Sequence, residues 1–166
     1  TQITFRDGDG REVGVGEVGE LVAQGPGIVP GYWNKPQETA EAMRDFGFMT
    51  GDMGFRDEQG WIYLVDRKKD MIIASGYKVW PREVEDVIYL HPAVREVAVV
   101  GVQDQYRGET VKAVVSLKPG AVAQPDEIRE FCKQRLAAYK YPRIVDIVEE
   151  LPKTLTGKII RAAVRD

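Results

Sequence analysis

V-D-R-K-K-D-M-I-I-A-S-G-Y, from Val65 to Tyr77, divides this chain in two. Asp66 to Asp70 are all charged and stand between apolar stretches. Such a run does not belong in a core, because a buried charge is costly unless it is paired and hydrogen-bonded. A solvated connection between two folded parts is therefore expected. Met71 to Ala74 then reads as a short strand, and Gly76 supports a turn.

Downstream of the charged run the elements alternate in type. Pro81 to Leu90 reads as a helix with Pro81 at its start and Val84, Val87 and Ile88 on one face. Val94 to Val102 and Val111 to Leu117 are strong strands. Pro125 to Tyr139 has the pattern of an amphipathic helix, with Ile128, Phe131, Cys132, Leu136 and Tyr139 sharing a face. Ile144 to Val148 is expected as a last strand. Upstream, residues 1 to about 65 are glycine-rich and poor in helix signal. The first residues look like a strand, followed by a D-G-D-G turn at Asp7 to Gly10. Glu20 to Gln24 and Trp61 to Val65 read as strands, and Pro36 to Met43 as one short helix.

Composition narrows the function classes. Of 166 residues, 43% are hydrophobic and 30% charged, which is ordinary for a water-soluble fold of one domain or two small ones. The formal net charge of −3 gives no field to draw nucleic acid or an anionic membrane. No apolar run is long enough for a transmembrane helix, and no signal peptide is visible at the start. A single cysteine, Cys132, excludes an internal disulfide framework and fits a reducing, cytoplasmic setting. Thr1 stands where a methionine would start a complete chain, so a piece of a longer protein is expected.

Five motifs fall in order along the chain. They are G-E-L-V-A-Q-G-P-G-I-V-P-G-Y-W-N-K-P (Gly19 to Pro36), M-T-G-D (Met49 to Asp52), the Val65 to Tyr77 stretch, L-A-A-Y-K-Y-P (Leu136 to Pro142) and L-P-K-T-L-T-G-K-I-I-R (Leu151 to Arg161). In that order and spacing they resemble the adenylate-forming superfamily, and within it the AMP-forming acyl-CoA synthetases, or fatty acyl-CoA ligases. The resemblance covers nearly the whole chain.

It implies an α+β fold in three parts. Residues 1–65 would be a small β-rich, barrel-like segment ending the N-terminal adenylation domain. Residues 66–70 would be a hinge, and residues 71–166 a compact, mobile α+β C-terminal domain. It also implies a two-step reaction, in which a carboxylic acid and ATP give acyl-adenylate and pyrophosphate, and coenzyme A then displaces AMP. Mg2+ would accompany ATP, with no ligand for it in this chain. The phosphate-binding loop and acyl pocket of the family lie upstream, so the missing N-terminal domain would be a partner and the fragment alone inactive.

Roles follow residue by residue from the same resemblance. Asp52, whose carboxylate can accept hydrogen bonds from two hydroxyls, matches the position that binds the ribose of ATP. Arg67 matches an arginine that reaches the same hydroxyls. Lys69 matches the hinge of synthetases with a D-R-x-K sequence, about which the C-terminal domain rotates between the two half-reactions. Gly76 matches the loop that lies against the pantetheine arm, where a Cβ would obstruct the thiol. Lys158 would bridge the substrate carboxylate and the α-phosphate; its neighbour Gly157 frees the backbone to present it. Asp45-Phe46-Gly47-Phe48-Met49 departs from the family's usual D-G-W order, with glycine and aromatic exchanged, which bears on local packing. Pro81 after Trp80 favours stand-alone acyl or aryl ligases over peptide-synthetase modules.

Other patterns lead elsewhere. Gly14 to Gly19 spells G-x-G-x-x-G, but a strand and then a breaker follow it, where a dinucleotide site needs a helix. Gly157-Lys158 lacks the remainder of a P-loop. One histidine, His91, and one cysteine give no zinc cluster. Two other functions stay open. One is a stand-alone regulatory or interaction module of the same fold. The other is a different superfamily enzyme, either carrier-protein-loading or luciferase-like, the last disfavoured by Ile73 where such enzymes carry lysine. The D-R-K-K-D-M-I-I run leans toward fatty acids; in the parent enzyme a cytoplasmic or membrane-peripheral location is expected.

Overall fold

The computed structural model describes residues 1–165. The chain divides into two compact units, Thr1–Lys69 and Asp70–Asp166.

The first unit is built on one antiparallel sheet. Its elements are β1 (Gln2–Arg6), β2 (Gly19–Gln24), α1 (Pro36–Ala42), β3 (Met43–Arg44), β4 (Gly47–Arg56) and β5 (Ile62–Arg67). β4 is the organising strand. It pairs β2 along one edge and shares its other edge between β3 at its start and β5 at its end. β1 flanks β2 at the margin. Phe5, Val22 and Ala23 are the buried apolar residues here. β5 contrasts with them: Ile62, Tyr63 and Leu64 at its start are all exposed.

The exchanged glycine and aromatic before T-G-D have a packing reason. A Cβ on Gly47 would lie 2.6 Å from Gln24 Cγ and 2.9 Å from the Ala23 carbonyl oxygen, so β4 approaches β2 too closely for any side chain. Phe46 instead takes the Arg6 guanidinium over its ring, 4.4 Å from the centroid.

The second unit is a five-stranded mixed sheet with two helices. It contains β6 (Ile72–Ala74), β7 (Tyr77–Val79), α2 (Pro81–Tyr89), β8 (Val94–Asp104), β9 (Gly108–Leu117), α3 (Pro125–Lys133) and β10 (Ile144–Val148). β8 and β9 form a long antiparallel hairpin, and β10 lies parallel to β9. A parallel neighbour needs a crossover, which the segment carrying α3 provides. The valine run of β8 is buried on both faces. Val97 and Val99 join the core formed with Val84, Ile88, Ile128 and Cys132. Ala98 and Val100 face a second cluster closed by Leu151 and Val164 from the C-terminal tail.

α3 stops at Lys133, although the apolar spacing predicts a helix to Tyr139. The chain must swing back so that the Arg143 amide can donate to the Val111 carbonyl and β10 can start opposite Lys112. Leu136 and Tyr139 keep their places against the core from turns. Their spacing therefore records burial after the helix has ended. The charged run is also less uniformly solvated than its composition suggests. Asp66 and Arg67 belong to β5, Lys68–Asp70 form one 3-10 turn, and Asp66 and Asp70 are half-buried.

Candidate functional site

Candidate residues stand in both units. In the first, each residue of T-G-D has a distinct role. β4 gains extra residues relative to β2 between Met49 and Met53, producing a bulge. Gly51 takes φ +75° there, in the left-handed region that glycine enters without penalty. The Thr50 hydroxyl donates to the Leu21 carbonyl at 2.9 Å and accepts from the Asp52 amide at 3.1 Å, clamping both sides of the bulge. Asp52 thus sits inside a strand.

This strand brings the two expected ribose ligands together. Asp52 and Arg67 are paired residues of β4 and β5. Arg67 Nε lies 2.8 Å from Asp52 Oδ1. The pair is partly exposed, so water screens its contribution to stability, and it remains open to a ligand carrying both donors and acceptors. A vicinal diol is such a ligand: its hydroxyls can donate to the carboxylate and accept from the guanidinium. Gly51, Arg67, Lys68 and Lys69 line a cavity of about 390 Å³.

Glu20 and Lys68 were not singled out by sequence reasoning. Glu20 is buried, accepts from the Gly51 amide at 3.2 Å and pairs with Lys68 Nζ at 2.7 Å. It ties the bulge that carries Asp52 to the segment that carries Arg67. A charged residue opening an otherwise apolar strand, G-E-L-V-A, was the available signal.

In the second unit Gly76 occupies the two-residue turn between β6 and β7. Ser75 has φ +53° and Gly76 φ +81°, the two positive values of a type I′ hairpin. An added Cβ at Gly76 meets nothing within 4 Å in this chain, so the local demand for glycine is conformational. Tyr77 stacks on Tyr139 with centroids 4.5 Å apart, and the Ser75 amide donates to the Arg107 carbonyl at 3.0 Å. The turn is held from both sides.

Lys158 stands on a separate hairpin. Lys153 and Ile159 form its antiparallel base. The Thr154 amide donates to the Lys158 carbonyl at 2.8 Å, and the Lys158 amide to Thr154 Oγ1 at 3.1 Å. Gly157 turns the tip at φ +82°. Lys153 is anchored by Glu96 at 2.8 Å, and this hydrogen bond to a carboxylate raises its pKa above the ordinary lysine value. Lys158 itself is exposed. The hairpin holds an exposed ammonium near its end, suited to meeting an anion.

Among the described residues no group of three or more His, Cys, Asp or Glu could hold a metal. Cys132 is fully buried, and burial pushes its thiol up to about 11, which excludes a thiolate nucleophile near neutral pH.

Comparison with known proteins places the chain among named relatives. Residues 83–158 match the family described as AMP-binding enzyme C-terminal domain. A long-chain-fatty-acid–CoA ligase of Bacillus subtilis is 54% identical over 145 residues, 87% of this chain and 26% of that protein. A 2-succinylbenzoate–CoA ligase of Geobacillus kaustophilus is 43% identical over 153 residues, 92% of this chain and 31% of that protein. The crystal structure of ATP-bound MatB from Rhodopseudomonas palustris superposes with a TM-score of 0.94 at 35% identity, covering 99% of this chain and 33% of that one. The chain therefore spans between a quarter and a third of the length of these relatives. Residues 83–158 place the chain among the proteins that carry the AMP-binding enzyme C-terminal domain.

Proposed function

We propose that this chain is the C-terminal part of an AMP-forming acyl-CoA ligase. The whole enzyme would activate a carboxylic acid with ATP and pass the acyl group to coenzyme A. In the first half-reaction a carboxylate oxygen attacks the α-phosphorus and pyrophosphate leaves. In the second the coenzyme A thiol attacks the acyl carbonyl, loses its proton, and AMP leaves.

The observation that carries this reading is the Lys158 hairpin. A cation on a braced arm can be set against the α-phosphate oxygens as negative charge builds on them. A preorganised charge of this kind contributes about 3 kcal/mol to such a transition state. Asp52 and Arg67 would hold the ribose hydroxyls, the carboxylate accepting and the guanidinium donating. Magnesium would travel with the ATP phosphates and be held by residues outside this chain.

Lys69, in the 3-10 turn at the boundary of the two units, is proposed as the pivot. Rotation about it would exchange Lys158 for the Gly76 turn at the reacting centre. The missing N-terminal domain would supply the acyl pocket, and this chain alone would be inactive. The exposed apolar strand β5 supports a need for further protein on that unit. A cytoplasmic setting accords with the one buried, unpaired cysteine.

The 54% identity to a long-chain-fatty-acid–CoA ligase favours a fatty acid as substrate. An aryl acid is the second reading, favoured by the 2-succinylbenzoate–CoA ligase relative. The test is a panel of fatty and aryl acids offered to the full ligase, with pyrophosphate and thioester both measured. Fatty acids should give ATP-dependent release of pyrophosphate followed by acyl-CoA. Turnover of aryl acids alone would move the assignment to the second reading. Pyrophosphate release with no acid of either class would contradict the function.

A further inference from the structure

We propose that Arg161 is a positioning residue for Lys158, pinning the segment that leaves the lysine hairpin to α2 and to Asp70. This inference rests on Lys158 being the adenylation cation. Arg161 follows Lys158 by three residues and opens the 3-10 turn Arg161–Val164. Its guanidinium grips Glu85 of α2 with two donors, Nη2 to Oε2 at 2.7 Å and Nε to Oε1 at 3.2 Å. Nη1 reaches Asp70 Oδ2 at 3.4 Å. One planar fork therefore joins the tail, a core helix and the first residue of the second unit.

Glu85 shows that this contact is built. It is buried, on a helix whose neighbouring Val84 and Ile88 are core. An isolated buried carboxylate is strongly disfavoured and survives only when paired and hydrogen-bonded. Glu85 receives the Val99 amide from β8 at 3.0 Å as well as the two Arg161 donors. The carboxylate is thus fixed to the sheet before the arginine meets it. A bidentate guanidinium on a fixed carboxylate has little freedom to tilt.

The hairpin needs such an anchor. Thr154 to Lys158 are all exposed, and Leu155 at the tip has no cover. The bonds within the hairpin set its shape but leave its direction to its base. Ile159 contributes packing against the cluster closed by Leu151 and Val164, which is non-directional. Lys153, paired with Glu96 at 2.8 Å, fixes the side entering the hairpin, and Arg161 supplies the directional contact on the side that leaves it. A misplacement of about 1 Å at a reacting group can cost 10²-fold in rate. Lysine cannot substitute, because a point charge cannot hold two carboxylates through a planar fork.

The test uses Arg161→Ala, Arg161→Lys and Glu85→Gln, the last keeping an acceptor for the Val99 amide. In this chain, amide exchange at Thr154 and Gly157 should rise by about tenfold or more while exchange across β8 and β9 stays unchanged. In the full ligase, kcat for adenylation should fall by about 10- to 100-fold, KM for ATP should hold within about twofold, and thioester formation from supplied acyl-adenylate should be retained. Arg161→Lys should fold normally and fail to restore adenylation. Unchanged exchange and unchanged adenylation in a background where Lys158→Ala abolishes adenylation would overturn the positioning role alone. Equal loss of both half-reactions would overturn it too, marking a structural residue. If Lys158→Ala itself left adenylation intact, the functional reading would fail and this proposal with it. If Arg161→Ala does not fold, Glu85→Gln decides by the same readouts.

Discussion

Replacing Gly76 separates backbone strain from access to the reacting centre. The residue holds φ +81°, and an added Cβ would meet no atom of this chain within 4 Å. The cost of Gly76→Ala is therefore conformational: about 1–2 kcal/mol for an L-residue in the left-handed region. The stiffer unfolded chain returns about 0.4–1 kcal/mol, leaving a net loss near 1 kcal/mol. For a unit of this size that lowers Tm by about 4–8 °C. Gly76→Asn should cost much less, since asparagine tolerates this region and suits type I′ turns. Urea unfolding can be followed through Trp80 once Trp33 and Trp61, 89% and 71% exposed, are replaced by Phe. Function is expected to rank the variants the other way. If the pantetheine arm passes over Gly76 in the full ligase, asparagine should slow thioester formation more than alanine while adenylation is spared by both. A Gly76→Asn enzyme as unstable as Gly76→Ala would refute the turn argument. A Gly76→Asn enzyme with a normal thioester rate would refute the passage.

Lys69→Pro should spare adenylation in the full ligase and slow thioester formation by about tenfold or more, because proline fixes φ and restricts the residue before it; pre-steady-state kinetics of both steps would show this, and equal loss in both would point to damage at Arg67 instead. The Asp104 carboxylate accepts the Arg107 and Tyr106 amides at 2.8 and 2.9 Å, which holds its pKa below the ordinary value. Its contribution is thus full above the usual Asp range, near pH 4, and lost as pH falls through the lower folded value; the urea-midpoint gap between wild type and Asp104→Ala should close on acidification. Cys132 should resist a thiol reagent near pH 8 in the native chain and react fully in denaturant, and native reaction at the rate of a free thiol would contradict its burial.

The strands and helices were legible wherever one pattern served one purpose. The valine runs of β8 and β9, and Val84 and Ile88 on α2, follow directly from burial. β4 was not legible as a strand, because Gly47, Gly51 and Gly54 interrupt any alternation. Those glycines serve close approach and the bulge, requirements set by β2 and β5 and not by β4's own sequence. The overlong reading of α3 has a related cause: Leu136 and Tyr139 keep helical spacing while packing from turns. At the candidate site, Asp52, Arg67, Gly76 and Lys158 were marked by motif. Glu20, Glu85 and Arg161 were not, because their partners lie 48, 14 and 76 residues away along the chain. Only the folded chain brings those charges together.

Lys158 is proposed to serve the adenylation step of a ligase with two half-reactions. The most direct measurement is single-turnover kinetics of both steps in the full ligase carrying Lys158→Ala. Adenylation should fall by about 100-fold or more, the equivalent of roughly 3 kcal/mol of lost transition-state stabilisation. Thioester formation from supplied acyl-adenylate should stay close to wild type. Equal loss in both steps, or no loss in the first, would contradict the account.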